Sequence, residues 1–193
     1  MTRFVALGDS ITLGVGDPVA AADQGSRRGW RGWAALLAEG LPEPTLHILA
    51  TNGACSADVE RDQLPRALQL RPDVASVVVG VNDTLRPNFD PALIAAAVAH
   101  TVGALRASDV AVLTMRMPDP GRMLGVPGVL ARPLARRAHE INLAMDAVAE
   151  RFGTGGLHCR QSVGQHRVED VDHLSIAVIS ARKLPPHTLD RGR

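Results

Sequence analysis

Short apolar runs alternate with longer amphipathic stretches along the 193-residue chain. Four runs have strand length and composition, and they predict β-strands at Phe4–Leu7, Leu46–Ala50, Val74–Val79 and Val110–Met115. Between these runs the apolar residues recur at helical spacing. The alternation predicts an α/β fold in which helices cover both faces of a parallel sheet, and the length suits one domain over residues 1–193.

Capping signals indicate where several helices begin and end. Ser56 can cap a helix whose first turn carries acidic residues. Asp90-Pro91 is a cap followed by proline at the first helical position, so the helix is predicted over Ala92–Ala107. The longest helix is predicted over Leu134–Phe152, and it stops at Gly153.

Three segments lack a clear period. Asp17–Arg28 and Pro118–Pro133 are irregular and are predicted to be loops that line a pocket. Thr154–Val168 is polar, and no fifth strand can be placed in it from its pattern. Trp30 and Trp33 lie in an apolar stretch and are predicted to belong to the core or to a pocket wall.

Charge and composition narrow the class of partner. The 21 basic and 20 acidic side chains are spread along the chain and leave a formal charge of +1, so no basic stripe indicates nucleic acid. No apolar run has the roughly 18 residues that a membrane span needs. The balanced charge predicts a small-molecule partner that is uncharged or of mixed charge. The start of the chain lacks the features of an export signal, which predicts a cytoplasmic protein. The oligomeric state is left open.

The residues that follow the predicted strands are the candidates for chemistry, because ligands of such sheets bind beyond the carboxyl ends of the strands. The first strand is followed by Gly8-Asp9-Ser10, the second by Asn52-Gly53, and the third by Gly80-Val81-Asn82-Asp83. Gly8 permits a tight turn, Asp9 is predicted to hold that turn, and Ser10 opens a helix whose free N–H groups favour a developing anion.

A serine nucleophile needs donors for the oxyanion and a base for its proton. The backbone N–H groups of Ser10 and Gly53, with the amide of Asn82, are the predicted donors. In Asp170-Val171-Asp172-His173, the carboxylate of Asp170 can orient the ring of His173, as in a Ser-His-Asp triad. His166 is the alternative base. A metal site has no recognised ligand spacing, although four residues could be considered for one: His158, Cys159, His166 and His173.

With "GDSIT", "NGA", "GVND" and "DVDHLS" in this order, the sequence resembles the SGNH hydrolases of the GDSL esterase/lipase family. The resemblance implies a flavodoxin-like three-layer α/β/α sandwich and ester hydrolysis through an acyl-enzyme, without a cofactor. By this resemblance Ser10 is the nucleophile. Gly53 and Asn82 are the oxyanion donors, and Asp170 and His173 complete the triad.

Other functions remain open at the level of sequence. The same residues would serve an acyltransferase or a thioesterase, whose acceptor or substrate the sequence does not specify. A binding protein that has lost its base is the alternative from another class. It is suggested by the tail, where His173-Leu174-Ser175 runs into Ile176-Ala177-Val178-Ile179 and not into the family's usual turn.

Overall fold

A computed structural model of the chain describes residues 1–17, 30, 32–123 and 125–157. Five parallel strands in the order β2-β1-β3-β4-β5 form one sheet in this part of the chain. The strands are β1 (Thr2–Gly8), β2 (Pro44–Ile48), β3 (Val74–Val78), β4 (Ala111–Met115) and β5 (Gly155–Leu157). This strand order is that of the flavodoxin-like sheets, so the predicted α/β sandwich is confirmed.

The helices of the described part include two long ones and several short ones. The α-helices are α1 (Ser10–Leu13), α2 (Gly32–Glu39), α3 (Ser56–Asp58), α4 (Leu64–Gln69), α5 (Val81–Thr84), α6 (Pro91–Ala107), α7 (Pro120–Met123) and α8 (Gly128–Phe152). A π-helical turn, Val59–Gln63, joins α3 to α4. Among these described helices, none combines the length and the apolar character that a bilayer crossing requires.

The core lies on both faces of the sheet because successive residues of β1 point to opposite sides. Phe4 and Ala6 pack with α2 on one face. Val5 and Leu7 pack on the other face, where α4, α6 and α8 contribute to one large apolar cluster. Helices therefore cover the sheet from both sides, as the alternating pattern predicted.

The two predicted tryptophan positions differ. Trp33 packs against the cluster around Phe4, which confirms its assignment to the core. Trp30 is 38% exposed and does not belong to the core, so for this residue the prediction of a pocket wall is the part that stays a prediction. It lies outside α2, which begins only at Gly32, and the apolar pattern is therefore longer than the helix.

The strand and helix predictions are confirmed in type, and some of their boundaries shift. β2 starts two residues earlier than predicted and ends at Ile48. The N-cap of the helix at Ser56 is Cys55, whose backbone is extended. The Ser56 hydroxyl donates a hydrogen bond to Asp83 and does not cap the helix. Ser56 is the first helical residue, so its assignment as the cap is wrong.

The largest correction concerns Pro118–Pro133, which was predicted to be an irregular loop. Residues Pro120–Met123 form α7, and α8 begins at Gly128, six residues before the predicted start. Pro133 is accommodated inside α8. The two helices pack closely, since a Cβ added at Gly121 would lie 2.7 Å from the Ala131 Cβ. α8 ends at Gly153 in the left-handed region, as predicted.

Candidate active site

The nucleophile candidate lies at the topological switch point of the sheet. From central strand β1 the chain moves to β2 on one side and then to β3 on the other. Ser10 follows β1 and Asn82 follows β3, so both lie at the carboxyl edge where the connections diverge. Such switch points are where open α/β sheets bind ligands.

Asp9 and Gly8 shape the turn that presents Ser10. Asp9 is the N-cap of α1, and its Oδ1 accepts a hydrogen bond from the Ile11 N–H at 2.9 Å, which confirms the structural role predicted for it. Gly8 has φ +148°, and a Cβ there would lie 2.1 Å from the Val78 carbonyl oxygen. Only glycine lets β1 run this close to β3 before the chain turns.

Asn82 connects the three strand ends. It is half-buried in α5, after Gly80 has turned the chain with φ +131°. Its Nδ2 donates to the Ala54 carbonyl at 3.0 Å and makes a longer contact of 3.4 Å with Asp9 Oδ2. Ala54 follows Gly53, and Asp9 precedes Ser10. The amide of Asn82 thus lies between the loop of Gly53 and the turn of Ser10.

Gly53 lies in the exposed turn after β2. Its φ of +77° is in the left-handed region, and nothing lies within 4 Å of where a Cβ would be. The glycine is needed for the backbone conformation and not for space. The turn is held to β1 by a hydrogen bond of 3.2 Å from the Thr51 N–H to the Gly8 carbonyl.

Asp83 fixes the segment of Asn82 against α3. This buried carboxylate accepts hydrogen bonds from the Ser56 hydroxyl at 2.7 Å and from the Ser56 N–H at 3.1 and 3.2 Å. Burial raises the pKa of Asp83 above its ordinary value, and the Ser56 hydrogen bonds oppose that rise. Asp83 therefore joins the turn after β3 to α3, the helix that follows Gly53.

Burial also raises the pKa of Asp9, from 3.8 to about 6. The negative charge of Asp83 raises it further, whereas the hydrogen bond from the Ile11 N–H lowers it. Two buried carboxylates thus support the turns around Ser10 and Asn82, and both resist ionisation because they lie out of water.

A crevice that is partly open to solvent lies beside this edge of the sheet. Its wall is mostly apolar, with one carboxylate, and is formed by Asp9, Ile11, Val78, Val79, Val81, Met115, Met117 and Pro118. Asp9 and Ile11 flank Ser10 in the sequence. Among the described residues of the predicted loop 118–133, Pro118 contributes to this wall. The other predicted loop lies mostly outside the described residues.

Asp170 and His173 lie outside the described residues, as do His158, Cys159 and His166. Their roles stay predictions. Within residues 1–17, 30, 32–123 and 125–157, no group of three or more potential ligands could hold a metal ion.

Gln63 holds the end of β1 in place and was not among the residues predicted from the sequence. Its buried side chain binds both backbone groups of Gly8. No sequence signal marks it, since the residue lies in a π-helical turn and the periods used to assign buried faces are those of α-helices and strands.

Ser10 begins a helix, and the Asn82 amide and the Gly53 turn lie at the same edge of the parallel sheet. This arrangement is typical of α/β hydrolytic enzymes with a serine nucleophile. The sequence profile of the GDSL-like lipase/acylhydrolase family matches residues 6–176, and the chain belongs to that family. It is accordingly a hydrolase that acts on ester bonds. Among curated protein sequences, none matches the chain significantly.

Solved structures share the fold at low sequence identity. TesA is 23% identical with a TM-score of 0.61, over 80% of this chain and 77% of that one. AlinE4, an SGNH-hydrolase family esterase, is 20% identical with a TM-score of 0.60, over 81% and 75%. A variant of Axe2, an acetyl-xylooligosaccharide esterase from Geobacillus Stearmophilus, is 16% identical with a TM-score of 0.62, over 81% and 75%.

Proposed function

We propose that the chain is a serine esterase that cleaves small acyl esters through an acyl-enzyme on Ser10. The observation that carries the proposal is the position of the Asn82 amide, which is bound to Ala54 on one side and to Asp9 on the other. A carboxamide between the turns of Gly53 and Ser10 supports the proposal that it shares an oxygen with the N–H groups of these two residues. Three converging donors are the arrangement that stabilises a tetrahedral oxyanion.

In the proposed reaction, the Ser10 hydroxyl attacks the ester carbonyl while His173 accepts its proton. Asp170 orients the imidazole. The oxyanion replaces the longer contact of Asn82, the one to Asp9, and the tetrahedral intermediate then expels the alcohol, which takes the proton from His173. Water repeats these steps on the acyl-enzyme and releases the acid.

The crevice beside Ser10 has a mostly apolar wall, which supports an acyl group as the part of the substrate that it holds. Small acyl groups, such as acetyl and butyryl, are the ones that we propose. We propose that residues 1–193 act as one hydrolase domain in this reaction, which the family match over residues 6–176 supports.

The test uses purified protein with p-nitrophenyl acetate and p-nitrophenyl butyrate. Wild type is expected to hydrolyse both, and Ser10→Ala is expected to lose at least about 1000-fold in kcat, because no nucleophile remains. A fluorophosphonate probe should label wild type at Ser10 and leave the variant unlabelled. Full activity in Ser10→Ala would falsify the mechanism.

The acceptor of the acyl group is a separate question, since transfer to an alcohol would use the same residues. Hydrolysis in the presence of competing alcohols distinguishes the two outcomes. Free acid as the main product supports the esterase, whereas a new ester as the main product identifies an acyltransferase. Faster turnover of thioesters than of matched oxygen esters would identify a thioesterase.

A further inference from the structure

Gln63 makes a reciprocal pair of hydrogen bonds with the end of the nucleophile strand. Its side chain is buried, with 1% exposure. Oε1 accepts the N–H of Gly8 at 2.8 Å, and Nε2 donates to the carbonyl of Gly8 at 2.9 Å. The side-chain amide therefore satisfies both backbone groups of Gly8, as a neighbouring strand would.

The same amide reaches the turn after β2. Nε2 lies 3.3 Å from Thr51 Oγ1, and the Thr51 N–H donates to the Gly8 carbonyl at 3.2 Å. Gly8 lies two residues before Ser10, and Thr51 lies two residues before Gly53. One buried side chain thus holds together the starting points of the two turns that carry the proposed backbone oxyanion donors.

The π-helical turn explains how Gln63 comes to face the sheet. The Leu64 N–H bonds to the Val59 carbonyl, five residues back, where an α-helix would bond four residues back. The wider turn leaves Gln63 and the adjacent Leu64 both buried. Turns of this kind are often found at functional sites, and here the turn delivers a polar group to the end of β1.

We propose that Gln63 is a positioning residue that sets the separation of the Ser10 and Gly53 N–H groups. The role rests on the proposed esterase function, in which these two groups bind the oxyanion. The Gln63 side chain bonds to Gly8 and Thr51 and not to the N–H groups of Ser10 or Gly53, so it acts on these donors through Gly8 and Thr51. Because donor geometry matters in the transition state more than in substrate binding, its loss should lower kcat and spare KM.

Gln63→Met is the test, since methionine has a similar size and shape but neither polar atom. We expect kcat to fall about 10- to 100-fold, with KM within about twofold of wild type. The matched control is Thr101→Val, which removes a buried hydrogen bond of 2.9 Å to the Ala97 carbonyl within α6. Both variants should lose thermal stability, but only Gln63→Met should lose kcat.

Active sites are counted by titration with a fluorophosphonate, so that kcat refers to folded protein. A wild-type kcat in Gln63→Met overturns the positioning role. Equal losses of kcat in Gln63→Met and Thr101→Val also overturn it, because they would reflect general destabilisation.

A second measurement is independent of activity. In amide NMR spectra, Gln63→Met should shift the resonances of Ser10 and Gly53 and speed the exchange of the Gly8 amide, while Thr101→Val leaves all three unchanged. Unchanged Ser10 and Gly53 resonances in Gln63→Met overturn the positioning role even if no ester is hydrolysed. A wild type that cleaves no ester contradicts the proposed function instead.

Discussion

Asp9 serves two groups with one carboxylate. Its Oδ1 caps α1 through the Ile11 N–H, and its Oδ2 lies 3.4 Å from the Asn82 amide nitrogen. The side chain is 1% exposed, so the residue that shapes the nucleophile turn is also a buried acid. A buried carboxylate costs stability when it ionises, and the hydrogen bonds that it accepts offset only part of that cost.

The raised pKa of Asp9 predicts how the free energy of unfolding changes with pH. The folded state holds the proton to about pH 6, whereas the unfolded state releases it near 3.8. Stability from this group is therefore fully present below pH 3.8 and is lost as the pH rises through 6, a change of about 3 kcal/mol. Asp9→Asn keeps an oxygen for the Ile11 N–H but does not titrate.

The measurement is the free energy of unfolding of wild type and Asp9→Asn by urea at several pH values from 4 to 7. The advantage of wild type over the variant should shrink by about 2 kcal/mol across this range, since part of the total change already lies below pH 4. Titrating groups that do not interact with Asp9 are common to both proteins and cancel in the difference, whereas Asp83 is coupled to Asp9 and its contribution remains in the difference. Parallel curves would contradict the raised pKa of Asp9.

Individual elements show what the sequence can and cannot predict. The first four strands follow directly from apolar runs, and α6 follows from the Asp90-Pro91 cap, whose carboxylate accepts the Ala92 N–H. β5 (Gly155–Leu157) was not predicted, because two of its three residues are glycine and pairing with β4 alone makes it a strand.

The start of α8 was missed for a related reason. Proline at 133 ordinarily marks a helix boundary, so the pattern placed the start after it. In the structure the helix begins at Gly128 and packs on α7, and tertiary contacts outweigh the lost hydrogen bond. The π-helical turn was not predicted either, because its period differs from the periods of strands and α-helices by which elements are recognised in a sequence.

Arg137 of α8 holds the segment that follows Asn82. Its Nη1 donates to the carbonyls of Thr84 at 2.7 Å and of Arg86 at 3.1 Å, and its guanidinium lies 4.9 Å from the centre of the Phe89 ring. A long helix at the side of the sheet thus anchors the end of α5, the short helix that presents the Asn82 amide.

Arg137→Met should lower the free energy of unfolding by about 1.5–3 kcal/mol, because two carbonyls lose a charged donor. Arg136→Met is the matched control. Arg136 is mostly exposed and pairs with Glu140 at 3.3 Å, which is worth less than about 0.5 kcal/mol. Urea unfolding of both variants measures the difference, and equal losses would show that Arg137 does not anchor the segment.

At the scale of the whole molecule, the strand order explains why three distant motifs lie at one edge of the sheet. β1 is central, and its neighbours β2 and β3 carry the Gly53 and Asn82 turns to the same edge. The sequence predicted this part of the site because parallel strands share a carboxyl edge. It could not specify the contacts themselves, such as the bond from Asn82 to the Ala54 carbonyl, since those depend on side-chain packing.

The proposed triad adds a late part of the chain to this edge, and adjacent acidic residues offer a control. Asp170→Ala and His173→Ala should each lower kcat by about 1000-fold or more, because the proton acceptor is lost or misoriented. Asp172→Ala should retain activity within about threefold of wild type. Ester hydrolysis at pH 8 by these three variants and by His166→Ala measures this. A loss confined to His166→Ala would reassign the base.

The central position of β1 has a consequence for biosynthesis. The strand that precedes Ser10 is translated before both of its partners, which lie about 40 and 70 residues further on, in the registers Phe4 with Leu46 and Phe4 with Val74. A nascent polypeptide on the ribosome therefore carries this strongly apolar strand with at least one unpaired edge until translation has passed β3. Ser10 is thus synthesised about 70 residues before Asn82, although the two turns lie at the same edge of the finished sheet.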